Sequence, residues 1–233
     1  YFQLRGLLPE LFFTKVDRMS MANSLEARSP LVYRDIAEFA YAELASLGVC
    51  AVGEFHYLHH QHDGTRYDDR TSMSQVLVDA ARAVGLRITL LRVHYERGGF
   101  GRELEAAQRR FASTRDETIE DVESLAQRYA DDPLVAVGLA PHSVRAASLD
   151  AIVALHEHAK SRGYPLHMHV AEQRREVREC IAETGARPVE ALATRGVIDE
   201  RFCAIHATHL TPHEAKLLGN AFIGVCRTTE RDL

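Results

Sequence analysis

The stretch LHMHVAE, Leu166 to Glu172, alternates apolar residues with two histidines and ends on a carboxylate. In an extended strand His167 and His169 share one face, and Glu172 lies just past the strand end, where a loop begins. An imidazole and a carboxylate so placed suit metal-assisted hydrolysis: a nitrogen ligand holds the ion that acidifies a water, and a nearby non-ligand carboxylate moves its protons. AIHATH, Ala204 to His209, repeats the arrangement, with His206 closing an apolar strand and His209 three residues later. Neighbouring strands would each deliver a histidine to one mouth. A single strand histidine is more often a buried, hydrogen-bonded residue than a ligand; it is the paired pattern with Glu172 that favours chemistry.

Three further stretches carry polar groups. His56, His59, His60 and His62 sit in FHYLHHQHDG, where a solvated polar loop and a direct site role are evenly matched. His142 and Arg145, in PHSVR, could bind a substrate carboxylate through the guanidinium fork, or could simply open a helix. GGFG, Gly98 to Gly101, lacks the spacing of a nucleotide-binding fingerprint and reads as a loop.

These residues need elements to position them. From about residue 49, short β-branched or apolar runs alternate with longer amphipathic segments, the pattern of βα units on a parallel sheet. Strands are expected near Val49 to Phe55, Ile88 to His94, Val135 to Leu139, Leu166 to Ala171, Phe202 to Ala207 and Phe222 to Cys226. Helical spacing is clearest at Met73 to Val84, closed by Gly85, and recurs at Ile119 to Tyr129, Leu149 to Lys160 and Glu176 to Thr184. The polar stretches follow strand ends, where function gathers in such folds. A (β/α)8 barrel needs eight units and about six are legible, so either the sheet is open or units are missing from the ends.

Composition narrows the partners. The 233 residues, 46% hydrophobic and 26% charged, are ordinary for a globular chain and long enough to bury a sizeable core. The net charge of −5 arises from 28 basic and 33 acidic residues mixed along the chain, so no basic face is laid out for nucleic acid. Cys50, Cys180, Cys203 and Cys226 are widely spaced without a CxxC pair, which fits reduced thiols in the cytoplasm. No apolar run suits a membrane span and the first residues lack a secretory signal, so a membrane partner is not expected.

VGEFHYLHH (Val52 to His60), GGFG followed by QRRF (Gly98 to Phe111), PHSVRA, HMHVAEQ, HATH and CRTTERDL together resemble the formimidoylglutamate deiminases of the amidohydrolase superfamily, over roughly residues 33 to 233. HxHxAEQ and HATH alone indicate only the deaminase-like amidohydrolases; FHYLHH and PHSVR narrow the match. The resemblance implies an α/β fold, an incomplete (β/α)8 TIM-type barrel covering about strands 2 to 7. It also implies one zinc ion and hydrolysis of N-formimidoyl-L-glutamate to N-formyl-L-glutamate and ammonia in histidine degradation. By motif, His169 would be a metal ligand, Glu172 the proton shuttle, and His206 the residue that polarises or orients the reacting water and substrate. Tyr57, His142 and Arg145 would hold the glutamate portion of this small-molecule substrate.

The chain departs from that pattern. The family's first-strand HxH pair has no counterpart before residue 49, its last-strand aspartate would lie beyond Leu233, and Arg227 stands where proline is usual. The expectation is therefore a truncated chain that binds zinc poorly and lacks turnover. Leu7 to Leu31, LLPELFFTKVDRMSMANSLEARSPL, instead resembles a segment of the synthetase domain of glutamine-hydrolysing asparagine synthetases, through KVDRMSMA and SLEARSPL in order. The expected division is a foreign helical segment at residues 1–32 and a partial barrel at 33–233. Alternatives are another amidohydrolase deaminase acting on a heterocyclic or amidine substrate, an ATP-dependent asparagine synthetase fragment, for which no pyrophosphate-binding glycine loop is found, and a non-functional chimera. A homodimer is compatible with all of them.

Overall fold

The computed structural model describes residues 34–61, 63–220 and 222–224. The expected segment at 1–32, His62 and the whole of CRTTERDL, with Cys226 and Arg227, lie outside the described residues. Helix α1 (Arg34–Ser46) leads into strand β1 (Ala51–His56), followed by α2 (Ser72–Ala83), β2 (Arg87–His94), α3 (Arg115–Arg128) and β3 (Val135–Pro141). Then come α4 (Leu149–Arg162), β4 (Leu166–Val170), α5 (Arg174–Thr184), α6 (Pro188–Thr194), β5 (Phe202–His206), α7 (Pro212–Leu217) and β6 (Phe222–Gly224). The six strands form one sheet in the order β1-β2-β3-β4-β5-β6, parallel throughout. Sequential parallel strands with a helical return between neighbours make an incomplete (β/α)8 barrel.

Local sequence explains the helices. Thr114 and Ser148 cap α3 and α4 by accepting from the backbone N–H of Glu117 and Ala151, and Gly163 (φ 75°) ends α4 in the left-handed conformation that glycine takes without strain. Helices α6 and α7 were not expected from the sequence. Each starts on a proline, Pro188 and Pro212, and in α7 Thr211 and Glu214 form a reciprocal capping box.

The sheet has two unlike faces. On one, Ile88, Leu90, Leu139, Leu166, Met168 and Phe202 pack against Val78, Val122, Leu125, Ile152, Leu155 and Leu192 of the helices. Each such buried side chain contributes about 1.5–3 kcal/mol relative to exposure. On the other face Phe55, Tyr57, Leu91, Val93 and Ala140 form a smaller cluster with Phe111. Gly138 lies where β2, β3 and the entry to β4 crowd together: a Cβ there would come 2.8 Å from the Pro165 carbonyl and 2.9 Å from Leu91 Cδ2. Among the described cysteines, Cys50 is exposed, Cys203 intermediate and Cys180 buried, all three as free thiols. No helix among the described residues is long and apolar enough to cross a membrane.

One charge pair interrupts the apolar helix-facing layer. Arg92 of β2, 1% exposed, meets Asp121 of α3, 2% exposed, with Nη2 to Oδ2 at 2.7 Å. Burial pushes the guanidinium below its ordinary value while Asp121 opposes that shift. Arg70 donates to the other carboxylate oxygen at 2.9 Å. Asp121→Ala would leave Arg92 buried without its counter-charge and should destabilise the chain by about 3–5 kcal/mol, whereas replacing both residues by apolar ones should cost much less. Denaturant titration of the two variants checks the contrast.

A histidine–carboxylate contact secures the loop after β2. His94 Nε2 lies 3.2 Å from Glu96 Oε2, and Glu96 also accepts from the backbone N–H of Ser148 at the start of α4. His94 and then Ser148 hold the Glu96 carboxyl at about 2, against burial, below the ordinary 4.5. A depressed folded value means that its stabilisation is complete above about 4.5 and is lost as pH falls from there toward about 2. The urea midpoint of Glu96→Gln should therefore fall less steeply than that of the wild type over that acid range.

Candidate active site

Parallel strands bring their C-terminal ends to one edge, and side-chain alternation then selects which residues look into the smaller, inner face. Phe55 and Tyr57 come from the end of β1, Tyr95 follows β2, His142 follows β3, His169 is the fourth residue of β4, and His206 closes β5. The His169 ring is the hub. Phe55 stacks on it at 4.2 Å and 27°, His142 meets it edge-on at 4.9 Å, and His206 lies 4.9 Å away. Tyr57 and Tyr95 approach His142 edge-on at 5.6 and 4.9 Å, and Phe111 packs edge-on against Tyr57 at 4.8 Å. All but His206 and Phe111 are buried, so the imidazoles sit in a largely dry aromatic setting.

Glu172 lies two residues beyond β4, and its Oε1 is 3.7 Å from His206 Nε2. That separation is too long for a hydrogen bond and places the carboxylate beside the imidazole. The backbone at this rim is bent against preference. Ala171, His206 and Ala207 have φ of 50°, 68° and 49°, values that side-chain-bearing residues rarely adopt and that cluster at functional sites. Two cross-strand bonds hold the bend, from Ala207 N to Val170 O at 3.1 Å and from His209 N to Ala171 O at 2.9 Å.

The six sequence-nominated residues are thus not all placed alike. Tyr57, His142, His169, His206 and Glu172 meet around one mouth. Arg145 is half-buried three residues after His142; its carbonyl accepts from Arg97 Nε at 3.1 Å, and its charge acts on the Glu176 carboxylate. His167 is half-buried, and burial lowers its pKa. His209 contributes its backbone to the rim and its carbonyl accepts from Arg187 at 2.6 Å.

The histidines after β1 fit neither a solvated loop nor a ligand cluster. His56, His59 and His60 are at most 5% exposed. His59 Nε2 lies 3.0 Å from the Val93 carbonyl and against the Arg92 guanidinium, and His60 Nε2 lies 2.7 Å from the Ala112 carbonyl. The backbone N–H of both donates to the Arg110 carbonyl. Burial, then the Arg92 charge, holds His59 well below its ordinary value, so it stays neutral. These residues fasten the loop that carries Tyr57 to the segment that carries Phe111. GGFG is a turn, as expected: Gly98 N donates to Arg102 O, and Arg102 N to Gly99 O, both at 3.1 Å.

Tyr95 and Phe55 were missed in the sequence, although the alternation Leu91, Val93, Tyr95 carries the inner face one step past β2. Glu176 was missed too. It is 5% exposed in the first turn of α5, and burial pushes its carboxyl up to about 7.

Two imidazoles on adjacent strand ends, buried His169 and half-buried His206, have the nitrogen chemistry and closeness of zinc ligands, and zinc sites use three or four. No group of three histidine, cysteine, aspartate or glutamate residues placed to hold a metal occurs among the described residues. They fit part of a metal shell.

An amidohydrolase family model matches residues 32–232, and the chain belongs to that family. A model described as asparagine synthase matches residues 1–48, the other resemblance legible in the sequence. Formimidoylglutamate deiminase of Pseudomonas aeruginosa is 38% identical over 212 residues, covering 88% of this chain and 46% of that protein. The crystal structure of an amidohydrolase from Brucella melitensis superposes with a TM-score of 0.79 at 36% identity, over 85% of this chain and 45% of that one. An adenosine deaminase from Xanthomonas campestris with bound zinc shares the fold, with a TM-score of 0.67 at 22% identity over 94% and 43% of the two chains. The chain thus spans about half the length of the relatives it matches.

Proposed function

We propose that the whole protein to which these residues belong hydrolyses N-formimidoyl-L-glutamate to N-formyl-L-glutamate and ammonia, a step of histidine degradation. The observation that carries this reading is the meeting of His169, His206 and Glu172 at neighbouring strand ends with Tyr57 and His142 beside them. The 38% identity to a formimidoylglutamate deiminase supports the substrate. His169 would hold a zinc ion, which when bound supplies Lewis-acid activation of a water. The proposed division of the chain is the one legible in the sequence, a segment akin to asparagine synthetase at 1–32 joined to barrel units at 33–233.

In this reading Glu172 takes a proton from the attacking water and gives it to the terminal nitrogen, then moves the remaining hydroxyl proton of the tetrahedral adduct to the same nitrogen as it departs. Water adds to the formimidoyl carbon, the C–N bond to the terminal nitrogen breaks, and ammonia leaves as the formyl C=O forms. His206, 3.7 Å from Glu172, orients the water and carries developing charge. Tyr57 and His142 form one wall of the mouth, and together with Arg145 would hold the carboxylates of the glutamate portion. The aromatic lining keeps bulk water away and strengthens each of these interactions.

The test is ammonia release from N-formimidoyl-L-glutamate by the whole protein. Turnover that Glu172→Gln lowers by about 10²–10⁴-fold in kcat supports the proposal. Absence of turnover with this substrate, alongside ammonia release from an amino-heterocycle, would assign the site to another deaminase. His169→Ala should lower the zinc content per chain, read by metal analysis independently of activity.

A further inference from the structure

Glu172 stands on a short turn between a strand and a helix. The chain leaves β4 at Val170, passes through Ala171 at φ 50°, and enters α5 at Arg174. Within those few residues it must reverse from strand to helix and still aim one carboxylate at His206.

Glu176 supplies the missing constraint. Its Oε1 accepts from the Ala171 N–H and its Oε2 from the Glu172 N–H, each at 3.0 Å. A glutamate at the third position of a helix commonly reaches back to the N-cap amide. Here Gln173 is the N-cap and its amide also acts on the carboxylate, while the two oxygens accept in addition from the two consecutive amides before it. Gripping both holds the two successive peptide planes on either side of Ala171, and hence the direction in which the Glu172 side chain departs. The side chain of Glu176 is buried beneath the turn, with the Arg145 charge acting on it. From the opposite side His209 N holds the Ala171 carbonyl. The turn is therefore clamped on its amide side by a carboxylate and on its carbonyl side by the neighbouring strand.

We propose that Glu176 is the positioning residue for Glu172: its two-oxygen grip on the Ala171 and Glu172 amides sets the carboxylate of Glu172 opposite His206. This rests on the reading of Glu172 as the proton carrier, and it concerns geometry that can be measured without turnover.

Glu176→Gln keeps the side-chain volume and replaces one acceptor oxygen by an NH2 group that cannot accept. Glu176→Asp keeps the charge on a side chain one methylene too short, and serves if the first variant does not fold. In the isotope-labelled chain the Ala171 and Glu172 amide proton resonances should lie downfield in the wild type and move upfield in the variants. The nuclear Overhauser contact between the Glu172 methylenes and the His206 ring should be lost, in protein whose circular dichroism shows it folded. A folded variant that melts at lower temperature yet keeps that contact would show a merely structural role and overturn the proposal. The catalytic reading is judged separately: if Glu172→Gln turns over substrate like the wild type, that reading fails, while the effect of Glu176 on the turn still stands or falls on the spectra.

Discussion

Because every strand of the sheet points the same way, each return must cross the helix-facing side, and each strand discharges its C-terminal end at one edge. That single directional constraint accounts for most of the molecule. It places the long apolar layer between sheet and helices, leaves the inner face to a smaller aromatic set, and lines up residues distant in sequence, from Phe55 to His206, around His169. The chemistry is delivered by strand ends; the helices supply the packing that keeps those ends in register.

The polar groups inside this layout fall into two kinds. Arg92, Asp121, His59 and His60 satisfy one another or backbone carbonyls, and they tie β2, α3 and the loop after β1 together without reaching the mouth. His142, His169, His206 and Glu172 face one another across aromatic rings instead. Both groups are histidine-rich, and His206 joins the second only because its left-handed backbone, φ 68°, departs from the alternation that turns Phe202 and Ala204 toward the helices.

Sequence reading located all six strands because β-branched runs flanked by amphipathic segments are a strong periodic signal. The edges moved where capping geometry intervened: β1 begins at Ala51 rather than Val49, whose N–H is held by the Leu44 carbonyl at the end of α1. The short helices α6 and α7 were hidden because six or seven residues give too little periodicity, although Pro188 and the Thr211 to Glu214 box announced their starts. Within the site, His169, His206 and Glu172 are legible from spacing, Tyr57 and His142 only through the family resemblance, and Phe55 and Tyr95 look like ordinary core residues. The left-handed backbone at Ala171, His206 and Ala207 carried no glycine or asparagine to signal it. The histidine run at the end of β1 leaves a solvated loop and a site role evenly matched in the sequence, because its partners, the carbonyls of Val93 and Ala112, come from segments that no local pattern could bring near.

The bent rim also bears on how this edge can move. Ala171 and Ala207 lie on neighbouring strand ends, and each is bonded across the gap, Ala207 to Val170 and His209 to Ala171. Neither turn can relax to ordinary backbone angles without breaking the bonds that hold the other. The two strand ends are therefore held as one hydrogen-bonded unit, and the histidine that closes β5 shares its backbone supports with the carboxylate beyond β4.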